Sequence, residues 1–208
     1  MGKLLYISVF DLPVCINAMP DSQASPLSQV FFKDIHWFQK SLADFNRVVC
    51  FRPAAPITAE WYVDASLFAL GGAWGQAAYH LPLPDTLVRS NISFLELLNV
   101  LVAIHVWGSK LVGKCIVIYC DNMAAVHTLT HYKITCPQLA TVARNIWALQ
   151  VSPSLHIEAR HIAGCSNTLA DTLSRIESPA HFEQFCQAHA SLSVCQLGPD
   201  WCQLDTEI

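Results

Sequence analysis

Cys115-Ile116-Val117-Ile118-Tyr119-Cys120-Asp121 decides the fold class of this chain. Residues 115–119 are a continuous apolar run of strand length, the pattern of a strand covered on both faces, and Asp121 stands at its C-terminal end. A strand buried on both sides needs helices above and below it. Upstream, Ser93 opens a stretch from Phe94 to Trp107 that is apolar nearly all round, which predicts a buried central helix rather than an amphipathic surface one. Earlier still, Trp61-Tyr62-Val63-Asp64 is rich in aromatic and β-branched residues, and Gly71-Gly72 precedes a second strand-like run to Tyr79, so a hairpin is expected before the Pro82–Pro84 loop.

Downstream, helices are expected at about 122–130 and 138–150, separated by the Tyr132–Pro137 loop, with Pro137 suited to a helix start. Leu155, Ile157 and Ala159 alternate with His156, Glu158 and Arg160, as in a half-buried strand near a sheet edge. A last helix follows Asn167. The order ββ–α–β–α–α–β–α describes an α/β domain, a mixed sheet with helices on its faces, and such sheets place their sites at strand ends.

The flanks are less regular. Residues 1–30 mix a short apolar stretch with Pro13, Pro20 and Pro26. Phe31, Ile35, Phe38, Leu42 and Phe45 then fall on one helical face. Arg52 to Pro56 breaks regular structure and marks a boundary. Beyond Pro179 periodicity is weak. The expected organisation is thus an N-terminal segment of residues 1–55 with one amphipathic helix, a domain at 56–178, and a weakly ordered tail at 179–208.

Composition narrows the classes. The 208 residues suit one domain with appendages; 53% are hydrophobic and only 13% charged, which excludes a disordered chain and leaves apolar surface for a partner. Net charge is −4 and the pI about 6.1, so there is no basic footprint for phosphates. Nine scattered cysteines without a C-x-x-C pair indicate neither a zinc ribbon nor a disulfide framework. Reduced thiols, the early Asp11 after the Leu4–Phe10 run, and Tyr6 where a myristoylation signal wants Ser or Thr lead to the expectation of a cytoplasmic or nuclear protein, not secreted and not in a membrane.

Four carboxylates carry the chemistry. Asp64 and Asp121 each follow a strand, Glu96 lies in the first turn of the buried helix, and Asp171 lies in the last helix, so all four can converge on one sheet edge. Carboxylates gathered in a small site raise one another's pKa unless cations compensate. Convergence therefore implies metal, and oxygen-only ligands favour Mg2+ or Mn2+; two such ions about 3.5–4 Å apart serve phosphodiester cleavage. Each residue also has a plainer reading. Ser93-x-x-Glu96 fits a capping box, Asp121 fits a helix N-cap, and Asp171 fits a solvated helix charge. Asp64 is harder to explain away, because Asp is disfavoured in strands and its neighbours are apolar.

W-Y-V-D-A-S (61–66), S-F-L-E-L-L-N-V-L-V-A-I (93–104), I-V-I-Y-C-D-N-M-A-A-V (116–126) and R-H-I-A-G-C-S-N-T-L-A-D-T-L-S-R (160–175) together resemble the ribonuclease H domain of retrotransposon reverse transcriptases. The resemblance is to the DIRS-like, tyrosine-recombinase elements and more distantly to gypsy-like ones, and it spans about residues 58–176. It implies a ribonuclease H-like mixed five-stranded sheet with helices on both faces. It also implies hydrolysis of the RNA strand of an RNA–DNA hybrid with two Mg2+ or Mn2+ ions, held by Asp64, Glu96, Asp121 and Asp171. Asp64 and Asp121 would bind or bridge the metals, Glu96 would bind one and orient the scissile region, and Asp171 would hold the second near the leaving group. Ser66, Asn122 and Asn167 are candidate hybrid contacts, and equally turn or capping residues.

Two departures from the family pattern stand out. Many ribonucleases H carry a mobile His after the Gly of the last block; here Cys165 follows Gly164, which implies slower turnover, and His161 reads as structural. The segments K-L-L-Y-I-S and F-F-K-D-I-H-W-F-Q-K-S-L-A-D-F-N resemble a thumb or connection region, yet no polymerase palm fits in the chain. A partner in the remainder of a reverse transcriptase is one expectation. The alternatives are an inactive ribonuclease H-fold module that binds nucleic acid or protein, and an integrase- or transposase-type nuclease on a similar fold.

Overall fold

The computed structural model describes residues 35–36, 57–131, 134, 136–151, 155–198 and 201. The helix expected over Phe31–Phe45, and with it the thumb or connection remnant of residues 1–55, falls outside them, except that Ile35 and His36 are helical. Ala54–Glu207 forms one compact unit.

The chain runs through strands β1 (Ile57–Ala65), β2 (Ala69–Trp74) and β3 (Ala77–Pro82), then helix α1 (Ile92–Trp107) and β4 (Cys115–Cys120). Helices α2 (Met123–His131) and α3 (Pro137–Val151), strand β5 (His156–His161), helices α4 (Thr168–Ser174) and α5 (Pro179–Ala188), and strand β6 (Ser193–Gln196) follow. The sheet order is β5-β4-β1-β2-β3-β6. Only β2 is antiparallel to its neighbours; β4 runs parallel to both β1 and β5, and β6 parallel to β3. This is the α/β architecture with mixed sheet that the blocks implied.

Burial explains the placement. Ile116, Val117 and Ile118 are fully buried, so β4 lies inside the sheet between two parallel partners. β5, whose polar residues alternate with Ile157 and Ala159, takes the edge. Every residue of α1 from Leu95 to Ile104 is buried. With the short 3-10 turn that follows, Ile92–Leu111 is long and apolar enough by composition to cross a membrane, yet here it is the central helix of the core.

Two adjacent glycines show that helices cover both faces. A Cβ on Gly71 would strike the backbone of α4 at the Ala170 carbonyl and the Ser174 nitrogen, whereas a Cβ on Gly72 would strike the Tyr79 ring. Neighbouring residues on a strand point to opposite faces, and the Tyr79 hydroxyl donates to Asn99 Oδ1 of α1 at 2.6 Å. α1 and α4 therefore lie on opposite sides of β2.

Two features differ from the expectation. The sheet has six strands rather than five, because β6 pairs with β3 through Ala77–His80. Residues 179–198 are not a weakly ordered tail: α5 starts at a Ser178 cap whose Oγ accepts from the His181 N–H at 3.3 Å, with Pro179 in its first turn. Ala78, Leu173, Ile176 and Phe185 form a small core under it, with Phe182, Leu192 and Val194 packed around. Phe182, Phe185 and Cys186 do have helical spacing, but in so short an element the stabilisation comes from this tertiary contact, which local periodicity does not register.

Candidate active site

Asp64, Gly71 and His80 stand side by side on β1, β2 and β3, because Asp64 pairs with Gly71 and Gly71 with His80. This row faces α4. Glycine at its centre lets the helix backbone settle directly on the sheet, and the two flanking side chains fasten it: Ser174 Oγ donates to Asp64 Oδ2 at 2.5 Å, and His80 Nδ1–H donates to the Leu173 carbonyl at 2.9 Å. That bond places a proton on Nδ1; burial pushes the imidazole pKa down, and the Leu173 bond opposes this. From the backbone side, Asn99 Nδ2 donates to the carbonyls of Asp64 (2.8 Å) and Gly71 (2.9 Å).

Glu96 reaches the same end of the sheet from α1. Its Oε1 accepts from the Ala65 N–H at 3.1 Å, and its Oε2 accepts from the Cys120 thiol at 3.5 Å. The capping-box reading fails here. The N-cap of α1 is Asn91, whose Oδ1 accepts from the Ser93 N–H at 2.8 Å, which leaves Glu96 free to turn toward the strands.

Asp121 follows β4 and is half-buried. It is not the cap of α2 either, since Asn122 Oδ1 accepts from the N–H groups of Ala124 (3.0 Å) and Ala125 (3.1 Å). Glu96, Cys120 and Asp121 present ligand atoms within 4.8 Å of one another. Gly164 closes over Asp121: a Cβ there would come within 3.0 Å of Asp121 Oδ2. Asp171 lies on the exposed side of α4, where Arg175 Nε donates to its Oδ1 at 2.7 Å.

Two of the acids are shifted by their surroundings. Burial raises the Asp64 carboxyl to about 6; the Ser174 hydrogen bond opposes this, and the charges of Asp121 and Asp171 add to it. Burial raises Glu96 further, to about 8, with Asp64 the next cause and the Ala65 N–H opposing. The Cys120 thiol is pushed well up, by burial first and then by Glu96. Of the basic residues, Arg175 is the one whose charge acts to lower Asp64, and it is bonded to Asp171 and largely exposed.

The three candidate hybrid contacts are engaged inside the fold. Ser66 Oγ donates to the Ser174 carbonyl at 2.5 Å and accepts from the Phe68 N–H in the β1–β2 turn. Asn122 caps α2. Asn167 is buried, donating from Nδ2 to the Val63 carbonyl at 2.9 Å, while its Oδ1 is buried with no hydrogen-bond partner among the described residues. Cys165 and His161 are exposed. Sequence reasoning passed over Ser174, Cys120, Arg175 and Asn99; Ser174 and Arg175 stood three and four residues after Asp171 in the quoted block, and that spacing on one helix was the available signal.

No family model matches the chain, and no curated protein matches it in sequence. Solved structures do match. RNase H1 from the halophilic archaeon Halobacterium salinarum NRC-1 has a TM-score of 0.46 at 19% identity, covering 55% of this chain and 92% of that one. LC11-RNase H1, isolated from compost by a metagenomic approach, has a TM-score of 0.34 at 18% identity, covering 55% and 89%.

The residues present fit a divalent ion. Asp64 and Glu96 are acids raised toward neutral pH first by burial and then by neighbouring carboxylates, the condition a bound cation relieves. The oxygen donors suit Mg2+ or Mn2+, and the adjacent Cys120 thiol already serves as a donor to Glu96.

Proposed function

We propose that this chain is a metal-dependent nuclease that hydrolyses the RNA strand of RNA–DNA hybrids, on a domain of retroelement origin. The observation that carries the reading is geometric: Glu96 is bonded to the Ala65 N–H beside Asp64 at the end of β1, and it presents ligand atoms with Cys120 and Asp121, at the end of the parallel strand β4, within 4.8 Å of one another. In this reading Asp64 and Asp121 hold the ions, Glu96 holds one of them, and Asp171 completes the site from α4. Two bound Mg2+ or Mn2+ ions would supply the positive charge that phosphodiester hydrolysis needs at the attacking and leaving oxygens. The protein's own part is positional: α1 brings Glu96 to the strand ends, the Ala65 N–H fixes its carboxylate, and α4 carries Asp171 past Asp64. Retroelement origin is supported by the 160–175 block quoted above, which contains Asn167, Asp171, Ser174 and Arg175.

The test is cleavage of a labelled RNA–DNA hybrid by the full chain in Mg2+ and in Mn2+, beside Asp64→Asn. Metal-dependent loss of the RNA strand that Asp64→Asn abolishes is the expected result. Absence of cleavage, or cleavage indifferent to Asp64→Asn, overturns the reading.

A second reading, a ribonuclease H-fold module that binds without turnover, is favoured by the surface beside these acids. Leu67 and Phe68, just after Asp64, are each 50% exposed and Met123, just after Asp121, is 61% exposed, in a chain of net charge −4. Such a rim suits a protein partner better than phosphates do. A folded chain that neither cleaves the hybrid nor binds it at low salt supports this reading over the first.

A further inference from the structure

We propose that Ser174 is a positioning residue for Asp64, holding one carboxylate oxygen so that the other is presented to the metal. This rests on the metal-site reading above and adds to it a residue outside the carboxylate set. The geometry is specific. Ser174 is fully buried, at the last position of α4, and its Oγ lies 2.5 Å from Asp64 Oδ2 and 2.9 Å from the Asp171 carbonyl. A hydroxyl has one proton to give, and the carboxylate is both nearer and the stronger acceptor. Asp64 Oδ1 accepts no hydrogen bond from any described residue, so the two oxygens of Asp64 are divided between protein and site.

The hydroxyl cannot drift, because its backbone is held from three directions. The Ser174 carbonyl accepts from Ser66 Oγ in the β1–β2 turn, the preceding Leu173 carbonyl accepts from His80, and the Ser174 nitrogen sits over the space where Gly71 lacks a Cβ. The three contacts come from the β1–β2 turn, from β3 and from β2. A carboxylate whose plane is set in advance loses less freedom when it binds an ion, and hydrogen-bond partners of metal-binding carboxylates are worth roughly 10–100-fold in affinity. Adjacent residues thus treat two of the acids differently: Ser174 holds the buried Asp64, while Arg175, 67% exposed, pairs with Asp171 at the surface.

The experiment is Mn2+ binding to the full chain, by calorimetry and by the electron paramagnetic resonance signal of free Mn2+, at a temperature where every variant is folded. Ser174→Ala is expected to weaken binding roughly 10–100-fold, and Ser174→Cys, near in size but a weaker donor, by less. A purely structural role would lower the metal-free melting temperature and leave the affinity of the folded protein unchanged. Unchanged affinity in folded Ser174→Ala overturns the proposal and leaves the metal site standing. If Ser174→Ala does not fold, Ser174→Cys decides in the same way. No Mn2+ binding by the wild type, or binding that Asp64→Asn leaves intact, overturns the proposal and the metal-site reading together.

Discussion

Gly71 lies so close beneath Ala170 that a Cβ built on it would stand 2.5 Å from the Ala170 carbonyl oxygen. The obstacle is helix backbone, with Leu173 Cβ and the Ser174 nitrogen each 2.7 Å away, so no side-chain rotation relieves it. Overpacking of a core costs about 1–3 kcal/mol where side chains can yield. Gly71→Ala is therefore expected to cost about 3 kcal/mol or more, read as a lower urea midpoint, and to move Asp171 and Ser174 with the helix.

Asn99 is the polar pin of the opposite face. It is fully buried, donates to the Asp64 and Gly71 carbonyls, and accepts from the Tyr79 hydroxyl. Asn99→Leu keeps the number and branching of side-chain heavy atoms but deprives the Asp64 and Gly71 carbonyls of their donor, each worth about 1–3 kcal/mol when buried without a bond, and leaves the Tyr79 hydroxyl with the backbone carbonyl of residue 99 at 3.2 Å. A loss of about 3 kcal/mol or more in equilibrium unfolding is expected, and a change below about 1 kcal/mol would show that water replaces the side chain.

The raised acids make stability depend on pH in an unusual direction. Glu96 rises from 4.5 to about 8 and Asp64 from 3.8 to about 6, so between these limits the folded chain keeps protons that the unfolded chain has released. Stability of the metal-free protein then falls as pH rises from about 4 to about 8. Thermal unfolding across that range in EDTA is expected to show a declining midpoint, and Mn2+ is expected to flatten the decline by binding the ionised acids. Glu96→Gln removes part of the slope.

Arg175→Ala sets a contrast with its neighbour. The Arg175–Asp171 pair joins residues four apart on an exposed helix face, with the Arg side chain 67% exposed, and such pairs contribute about 0–1 kcal/mol. Its removal is expected to shift the melting temperature by no more than about 2–4 °C.

Deleting residues 179–208 removes α5 and β6, and with them the cover over Ala78, Leu173 and Ile176. A lower urea midpoint and new binding of a dye for apolar surface are expected; unchanged stability would mean that this small core is dispensable.

The central strand, the buried helix and the edge strand were legible in the sequence because each depends on the burial of its own residues: Ile116–Ile118, Leu95–Ile104, and the alternation from Leu155 to Ala159. α5 and β6 were not, because Phe185 and Val194 pack in a cluster with residues outside their own elements, among them Ala78, Leu173 and Ile176. At the site, spacing pointed to the carboxylates, but whether Glu96 capped its own helix depended on Asn91 taking that role. The Ser174–Asp64 bond joins residues 110 apart and is created by the close seating of α4 on Gly71. No local pattern encodes such a contact.

The most direct test of the carboxylate site is anomalous scattering from crystals of the full chain grown with Mn2+. The account predicts a manganese peak in contact with the carboxylates of Asp64 and Asp121, absent in Asp64→Asn crystals. Full ordering of the four acids with no manganese among them, at a concentration that saturates binding in solution, would contradict it.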